Sequence, residues 1–261
     1  MSKFFVKENQ INNNEITIMG EDVNHIINVL RMKKEDELQI CNQETGENYI
    51  SKIINYSKET VECEIIEKLE MTRESNVHIT LFQGIPKFEK MELIIQKNTE
   101  IGIKEIIPVK MERTIVKLDQ KGIQKKLERW QKIAEIAAKQ SMRDIIPNIG
   151  TISTIKEIDC LKFDKVLVAY ENEDKNMLKE ELIKLKEENK EENKEENKEE
   201  NNKKEYSIAI IIGPEGGISE KEIEFFKEIE NISFVSLGKR ILRTETAGLV
   251  MCGNIIYELE E

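Results

Sequence analysis

Two stretches in the last third of the chain have the residue types that bring backbone up against a ligand: Ile208-Ala-Ile-Ile-Ile-Gly-Pro-Glu-Gly-Gly217 and Leu237-Gly-Lys-Arg-Ile-Leu-Arg-Thr-Glu-Thr-Ala-Gly248. Each reads as a strand stopped by glycine. Residues 208–212 have the length and β-branching of a buried strand, and Gly213-Pro214 must end it. Ser219 with Glu222 forms the capping box of a helix running through Ile223, Phe226 and Ile229. A second strand is expected near residues 232–237, and a last helix near Thr246. Both loops are then expected side by side at the carboxyl ends of neighbouring strands, the edge of an open α/β sheet where ligands bind. Glycine permits close backbone approach there, and the N–H groups of helix starts can meet a ligand's polar edges. By spacing alone, two plain strand-to-helix turns fit as well, because neither loop has the Lys-Ser/Thr of a phosphate-binding loop or a full dinucleotide fingerprint.

The elements that must position these loops follow from periodicity. Residues 77–82 read as a strand, and 87–101 as a helix with Phe88, Met91, Ile94, Ile95 and Asn98 on one side and Gly102 as its stop. Residues 106–109 and 166–170 are further strands. Residues 124–141 form a long helix burying Leu127, Trp130, Ile133, Ala134 and Ala137, and 175–185 a shorter one. Strands separated by helices imply a parallel sheet with right-handed crossovers. Residues 1–72 differ: short alternating strands with a hairpin signal at Glu44-Thr-Gly-Glu47 and one helix over 22–32 predict a small barrel of five or six strands. Residues 73–261 then form the second domain. Four copies of Lys-Glu-Glu-Asn fill 186–201, and with no apolar residue from Lys186 to Glu205 the insert 186–204 is expected to be a disordered, solvated excursion, or at most a frayed helix extension.

Composition narrows the function classes. The net charge is −11, which argues against a protein basic all over. The charge is uneven, however: residues 84–143 hold 14 basic and 8 acidic side chains, and phosphate binding needs a basic face rather than a basic protein. Lysines on such a face are also ordinary solvated surface. Four scattered cysteines and two separated histidines suggest neither a zinc site nor a disulfide framework, so no metal is expected. The longest apolar run, residues 208–212, is far below the roughly 20 residues that cross a bilayer. A cytoplasmic protein without a membrane segment is expected.

Gly-Pro-Glu-Gly-Gly at 213–217 and Leu-Gly-x-Arg-Ile-Leu-Arg-Thr-Glu-Thr-Ala at 237–247 resemble the RsmE family of 16S ribosomal RNA methyltransferases, in the SPOUT (trefoil-knot) class. The resemblance continues through the Lys-Phe-Glu-Lys-Met-Glu-Leu-Ile-Ile-Gln-Lys-Asn-Thr-Glu-Ile-Gly of residues 87–102, through Arg113, through 130–143 with Gln140 and Arg143, and through His25 and Val29-Leu30-Arg31. It covers nearly the whole chain apart from the insert. Lys3 stands where relatives usually carry arginine, and Glu35 where a glycine precedes Asp36, so the loop after Arg31 is expected to differ in shape.

The resemblance implies a knotted α/β methyltransferase domain behind a PUA-like RNA-binding barrel, working as a homodimer. It implies S-adenosylmethionine as cofactor, held by Ala169, Tyr170 and Glu171, by Ile212, Gly213, Pro214, Glu215, Gly216 and Gly217, and by Leu237, Gly238, Ile241, Leu242, Arg243, Thr244, Thr246 and Ala247. The acceptor it implies is N3 of a uridine in 16S rRNA of the small ribosomal subunit. That nitrogen is a poor nucleophile until its proton leaves, and Arg243 is the expected catalytic group, stabilising charge that spreads onto the flanking carbonyls. A structural salt bridge of Arg243 to Glu215 or Glu245 is the plainer alternative. Glu171, Glu215, Glu245 and water all stay open as the base. N3 lies on the Watson–Crick edge, so the uridine must be turned out of any pair. Arg31, Lys33, Lys87, Arg113, Lys139 and Arg143 are the expected phosphate grips. A catalytically silent RNA-binding protein, or a knot-fold enzyme with another RNA acceptor, are the rival readings.

Overall fold

The computed structural model describes residues 2–70, 72–87, 89–116, 120–195 and 205–260. The chain divides into two compact units, residues 1–74 with 138–146, and residues 75–137 with 147–261.

In the first unit, β1 (Lys3–Val6), β2 (Ile11–Asn12), β3 (Glu15–Met19), β4 (Glu37–Asn42), β5 (Asn48–Tyr56) and β6 (Thr60–Leu69) form one sheet in the order β1-β4-β5-β6-β3-β2. Only the β1–β4 pair is parallel. Alternate residues, among them Phe4, Val6, Ile16, Ile18, Leu38, Ile40, Val61 and Cys63, fill its core. The expected helix over 22–32 is instead a single turn, α1 (Glu21–Asn24), that continues as a π turn over His25–Val29. Arg31 and Glu35 follow with φ of 56° and 74°. Glu35 therefore keeps the left-handed backbone that a glycine would favour, at a cost of about 1 kcal/mol, and its N–H reaches the Ile53 carbonyl at 2.9 Å.

The second unit carries β7 (Val77–Gly84), α2 (Lys90–Ile101), β8 (Glu105–Lys110), α3 (Gln120–Gln140, whose last turn belongs to the first unit), β9 (Asn148–Ile149), β10 (Ser153–Thr154), β11 (Lys165–Ala169), α4 (Leu178–Glu195), β12 (Tyr206–Ile212), α5 (Glu220–Lys227), β13 (Ile232–Val235) and α6 (Thr244–Leu259). Every strand pair is parallel, in the order β10-β8-β7-β12-β11-β13, with β9 also on β8. Because helices cover both faces, β12 is apolar from Ile208 to Ile212: Ile208, Ile210 and Ile212 pack with α2, α4 and α6, while Ala209 and Ile211 pack with Ile223 and Phe226 of α5.

Three expectations need correction. β12 and β13 are not neighbours, since β11 lies between them and pairs with both. Helix α2 begins at Lys90 rather than Lys87, and Phe88 lies outside the described residues. Helix α4 does not stop at Leu185 but runs to Glu195, so residues 186–195 of the insert are helical. Lysine and glutamate are good helix formers, and once the amphipathic start Leu178, Leu182 and Leu185 is packed, added turns need no core of their own. The remainder of the insert, 196–204, lies outside the described residues.

Candidate active site

The pocket sits at the carboxyl ends of β11, β12 and β13, a cavity of about 210 Å³. Three loops build its walls: residues 169–171, 212–218 and 235–247. Each is fixed by the element it leaves. Ser219 caps α5, its hydroxyl accepting from the Glu222 N–H at 3.4 Å while the Glu222 carboxylate accepts the Ser219 N–H at 2.9 Å. This closes the loop after β12. The segment after residue 171 is laid beside β13: the Ser236 N–H donates to the Asn176 carbonyl at 2.8 Å, and the Leu178 N–H to the Ser236 carbonyl at 3.1 Å.

Glycine is needed where loop residues nearly touch. A Cβ on Gly213 would stand 2.9 Å from the Gly217 carbonyl carbon and 3.0 Å from Ile218 Cγ1, closer than carbon atoms approach. Gly238 has φ of 109°, a backbone that side chains oppose. Around these, Ile212, Leu237, Leu242 and Ala247 supply an apolar wall.

Most of the expected cofactor residues line this cavity: Ala169, Tyr170, Glu171, Ile212, Gly213, Pro214, Glu215, Gly217, Leu237, Gly238, Ile241, Leu242, Arg243, Thr244 and Ala247. Gly216 and Thr246 are not among the lining residues. The Gly216 carbonyl accepts from Arg113 Nη1 at 2.9 Å, and a Cβ on Gly216 would meet Arg113 Cβ at 3.1 Å. Helix α6 starts at Thr244, two residues earlier than expected, so Thr244 and Ala247, three apart, share the pocket face and Thr246 turns off it. Ile218, Val235, Ser236, Lys239 and Arg240 also line the cavity. Lys239 and Arg240 stand inside the 237–247 motif, which was the signal that could have found them.

The charged groups divide into engaged and unengaged. Lys90 Nζ lies 3.1 Å from Glu215 Oε1 and 3.2 Å from Glu245 Oε2, and Glu215 also accepts the Lys87 N–H at 3.1 and 3.2 Å. Burial pushes the Glu215 carboxyl up, but its own backbone N–H, Lys90 and the Lys87 N–H outweigh this and hold it below the usual carboxylate value. Arg243 and Glu171 are exposed, and neither side chain has a hydrogen bond or ion pair among the described residues. The alternative of a salt bridge from Arg243 to Glu215 or Glu245 is thus not what the structure has, because Lys90 occupies both carboxylates.

The expected phosphate grips separate in the same way. Arg31 and Lys33 are exposed on the first unit. Lys139 instead binds Asp22 at 2.8 and 2.9 Å with 17% of its side chain exposed. Arg143 is 4% exposed and paired with Glu74. It belongs to a buried cluster with Lys3 and Asp144, whose carboxyl is drawn down, against its burial, by Lys3, the Arg73 N–H and Thr72. In this structure Arg143 is engaged as a buried cation and is not presented as a phosphate grip: leaving its carboxylate would strand Glu74. In the second unit Lys87 is half-buried and its N–H is given to Glu215, while Arg113 is exposed with one nitrogen on the Gly216 carbonyl.

The chain is similar to known proteins over nearly its whole length. Residues 73–256 match the family model described as an RNA methyltransferase domain, and residues 18–66 the one described as an RNA methyltransferase PUA domain. The ribosomal RNA small subunit methyltransferase E of Bacillus subtilis is 37% identical over 246 residues, 94% of this chain and 90% of its own. The protein of the same name from Mesomycoplasma hyopneumoniae is 32% identical over 99% of this chain and 100% of its own. The crystal structure of the Neisseria gonorrhoeae protein of that name, bound to S-adenosyl methionine, superposes with a TM-score of 0.78 at 28% identity, covering 100% of this chain and 98% of that one.

Proposed function

The chain belongs to the ribosomal RNA small subunit methyltransferase E family, and from that premise we propose that its pocket serves methyl transfer from S-adenosylmethionine to N3 of a uridine in 16S ribosomal RNA. Methylation of small-subunit ribosomal RNA with S-adenosylmethionine as donor is the activity. The uridine and its ring nitrogen are what we propose beyond it. The observation that carries it is Arg243, an exposed guanidinium on the pocket wall with no ion pair among the described residues, while Glu215 and Glu245 are already engaged by Lys90.

The residues present fit the donor. The tight turn at Gly213, the apolar wall of Ile212, Leu237, Leu242 and Ala247, and backbone groups from three loops suit a purine and a short charged tail. Bound there, S-adenosylmethionine supplies an electrophilic methyl group on sulfur. The protein's own part is to make N3 nucleophilic. Arg243 faces the two carbonyl oxygens that take up charge when the N3 proton leaves. Of the three candidate bases, Glu215 and Glu245 are held by Lys90, and Glu171 is the one without a partner among the described residues. Glu171 receives the N3 proton in this reading, and the rim charges Lys239 and Arg240 hold the flanking phosphates, with Arg31 and Lys33 of the first unit as a second grip.

Three further parts of the reading rest on family membership: the trefoil knot through which the end of the chain is drawn, the homodimer, and action in the cytoplasm. Light scattering of the purified protein at twice the monomer mass supports the dimer, and monomer mass throughout removes it. For the reaction, mass spectrometry of 16S rRNA nucleosides from cells with and without this protein is the test. Loss of one N3-methyluridine per 16S molecule is expected. An unchanged N3-methyluridine content, or the loss of another methylated nucleoside, overturns the acceptor.

A further inference from the structure

Gln83 does not line the pocket, and no step above uses it. It lies near the end of β7 and is wholly buried. Its amide nitrogen donates to the Gly84 carbonyl at 2.9 Å and to the Thr244 hydroxyl at 2.9 Å. A backbone carbonyl only accepts, so the nitrogen end of the amide must face that way. The Thr244 hydroxyl in turn donates to the Gly213 carbonyl at 2.7 Å.

A hydroxyl has one proton to give. Because Gln83 supplies the proton in its own bond, the proton of Thr244 is left for Gly213. The end of β7, the first turn of α6 and the loop after β12 are thereby joined in one directed chain, which ends on a glycine of the pocket wall. The strand end and the loop are also in close contact, since a Cβ on Gly84 would stand 2.5 Å from Pro214 N and Cδ.

We propose that Gln83 is a positioning residue for the donor pocket: it orients the Thr244 hydroxyl so that this group holds the Gly213 carbonyl. The proposal rests on the reading of this cavity as the S-adenosylmethionine site. A glutamine that merely filled space would be replaced without loss by an isostere. Gln83→Glu keeps the shape but not the protons. Ionised, the new group has no proton for two acceptors, and protonated it has one, so in either form at least one of the two bonds is lost.

The test is calorimetric binding of S-adenosylmethionine to the full chain, with melting temperatures, for wild type, Gln83→Glu, Thr244→Val, Thr244→Ser and the double variant Gln83→Glu/Thr244→Val. Loss of one hydrogen bond to a buried carbonyl corresponds to about tenfold in affinity. Gln83→Glu and Thr244→Val are each expected to weaken binding by about that factor, Thr244→Ser to stay within about twofold of wild type, and the double variant to bind no worse than the weaker single one. Losses that multiply in the double variant overturn the directed chain, as does wild-type affinity in Gln83→Glu. Should Gln83→Glu fail to fold, Gln83→Met enters the same cycle with the same expectations. A wild-type chain that takes up no S-adenosylmethionine overturns the pocket reading itself, whereas uptake by wild type and Gln83→Glu alike overturns only the role of Gln83.

Discussion

Residues 213–217 and residues 236–243 are two walls of the same pocket, and they are held in different ways. In the first, the Gly213 carbonyl is taken by Thr244, the Gly216 carbonyl by Arg113, the Gly217 N–H by the Pro214 carbonyl at 2.9 Å, and the Glu215 carboxylate by Lys90 and the Lys87 N–H. In the second, Leu237 and Leu242 rest on the core and the Gly238 N–H reaches Ser236 Oγ at 3.4 Å. Lys239, Arg240, Ile241 and Arg243 project outward, and none of the three cations is paired among the described residues. The first wall is complete without a ligand. The second has donors and charge still to spend, which suits it to a polyanion that arrives from outside. On the proposed reading, the contrast is between a preorganised cofactor wall and a substrate wall.

The largest expected effect comes from breaking the first wall. Gly213→Val places carbon against the Gly217 backbone, and the loop must move by more than a side-chain shift allows, so S-adenosylmethionine affinity should fall by at least about a hundredfold in a folded protein, read by calorimetry. Gly216→Val is the control. Its Cβ meets Arg113, the side-chain stem at 3.1 Å and the backbone oxygen at 3.6 Å, and Gly216 is not a lining residue, so affinity should change by less than about tenfold. Equal losses in the two variants would remove the distinction between pocket-facing and outward-facing glycines.

Next comes the substrate wall. Arg243→Ala should lower turnover by roughly two to three decades with donor affinity nearly intact. A matching loss of donor affinity, with turnover at saturation unchanged, would move Arg243 to the cofactor side of the contrast.

Lys90→Met sharpens the comparison through pH. Glu215 is now held below its usual value, so it stays ionised until the medium is more acid than that value. The contribution of such a carboxylate is full above its unfolded pKa and is lost as pH falls through the folded one. Without Lys90 the folded pKa must rise, and the acid limb of S-adenosylmethionine binding should move to higher pH, with about a tenfold loss near neutrality. An acid limb at the wild-type position would show that Lys90 does not tension this wall.

The smallest effect is expected beneath the second wall. Glu181 of α4 is 7% exposed, and burial would raise its pKa, yet Lys184, Ser233 and Lys165 hold it at about 2. Its contribution is therefore present above the ordinary carboxylate range and fades as pH falls from there toward 2. Glu181→Gln should lower the melting temperature at neutral pH by a few degrees, converge with wild type near pH 2, and leave donor affinity unchanged. A large loss of affinity would mean that the open wall depends on the strands below it more than its own contacts suggest.

How much of this was legible beforehand depended on the range of the cause. The strand core at 208–212, its stop at Gly213 and the cap at Ser219 are written within a dozen residues, and pattern reading finds them. The place of β11 between β12 and β13 depends on where two crossovers return the chain, which no local period encodes. The partner of Arg143 is Glu74, 69 residues away, so its basic character was visible and its engagement was not. The same holds for Lys139 and Asp22. Lys239 and Arg240 show the converse, since their freedom is also a tertiary property. Glu35 marks a further limit: its left-handed backbone is tied to the neighbouring strand through the Ile53 carbonyl, a contact that residue type alone does not announce.

The sheet order also has a consequence in time. Val77 of β7 faces Tyr206 of β12 in the register, and β8 can cover only the other edge of β7 in the meantime. A ribosome adding roughly 5–20 residues per second needs on the order of ten seconds to deliver the partner strand. Until then one edge of a strand that is largely buried in the finished fold stays open, a surface for chaperones or for misassembly. Thr244 is translated later still, so the clasp on Gly213 cannot close until the final helix is made. A truncated nascent chain of this protein would have nearly all its strands and no place to hold a methyl donor.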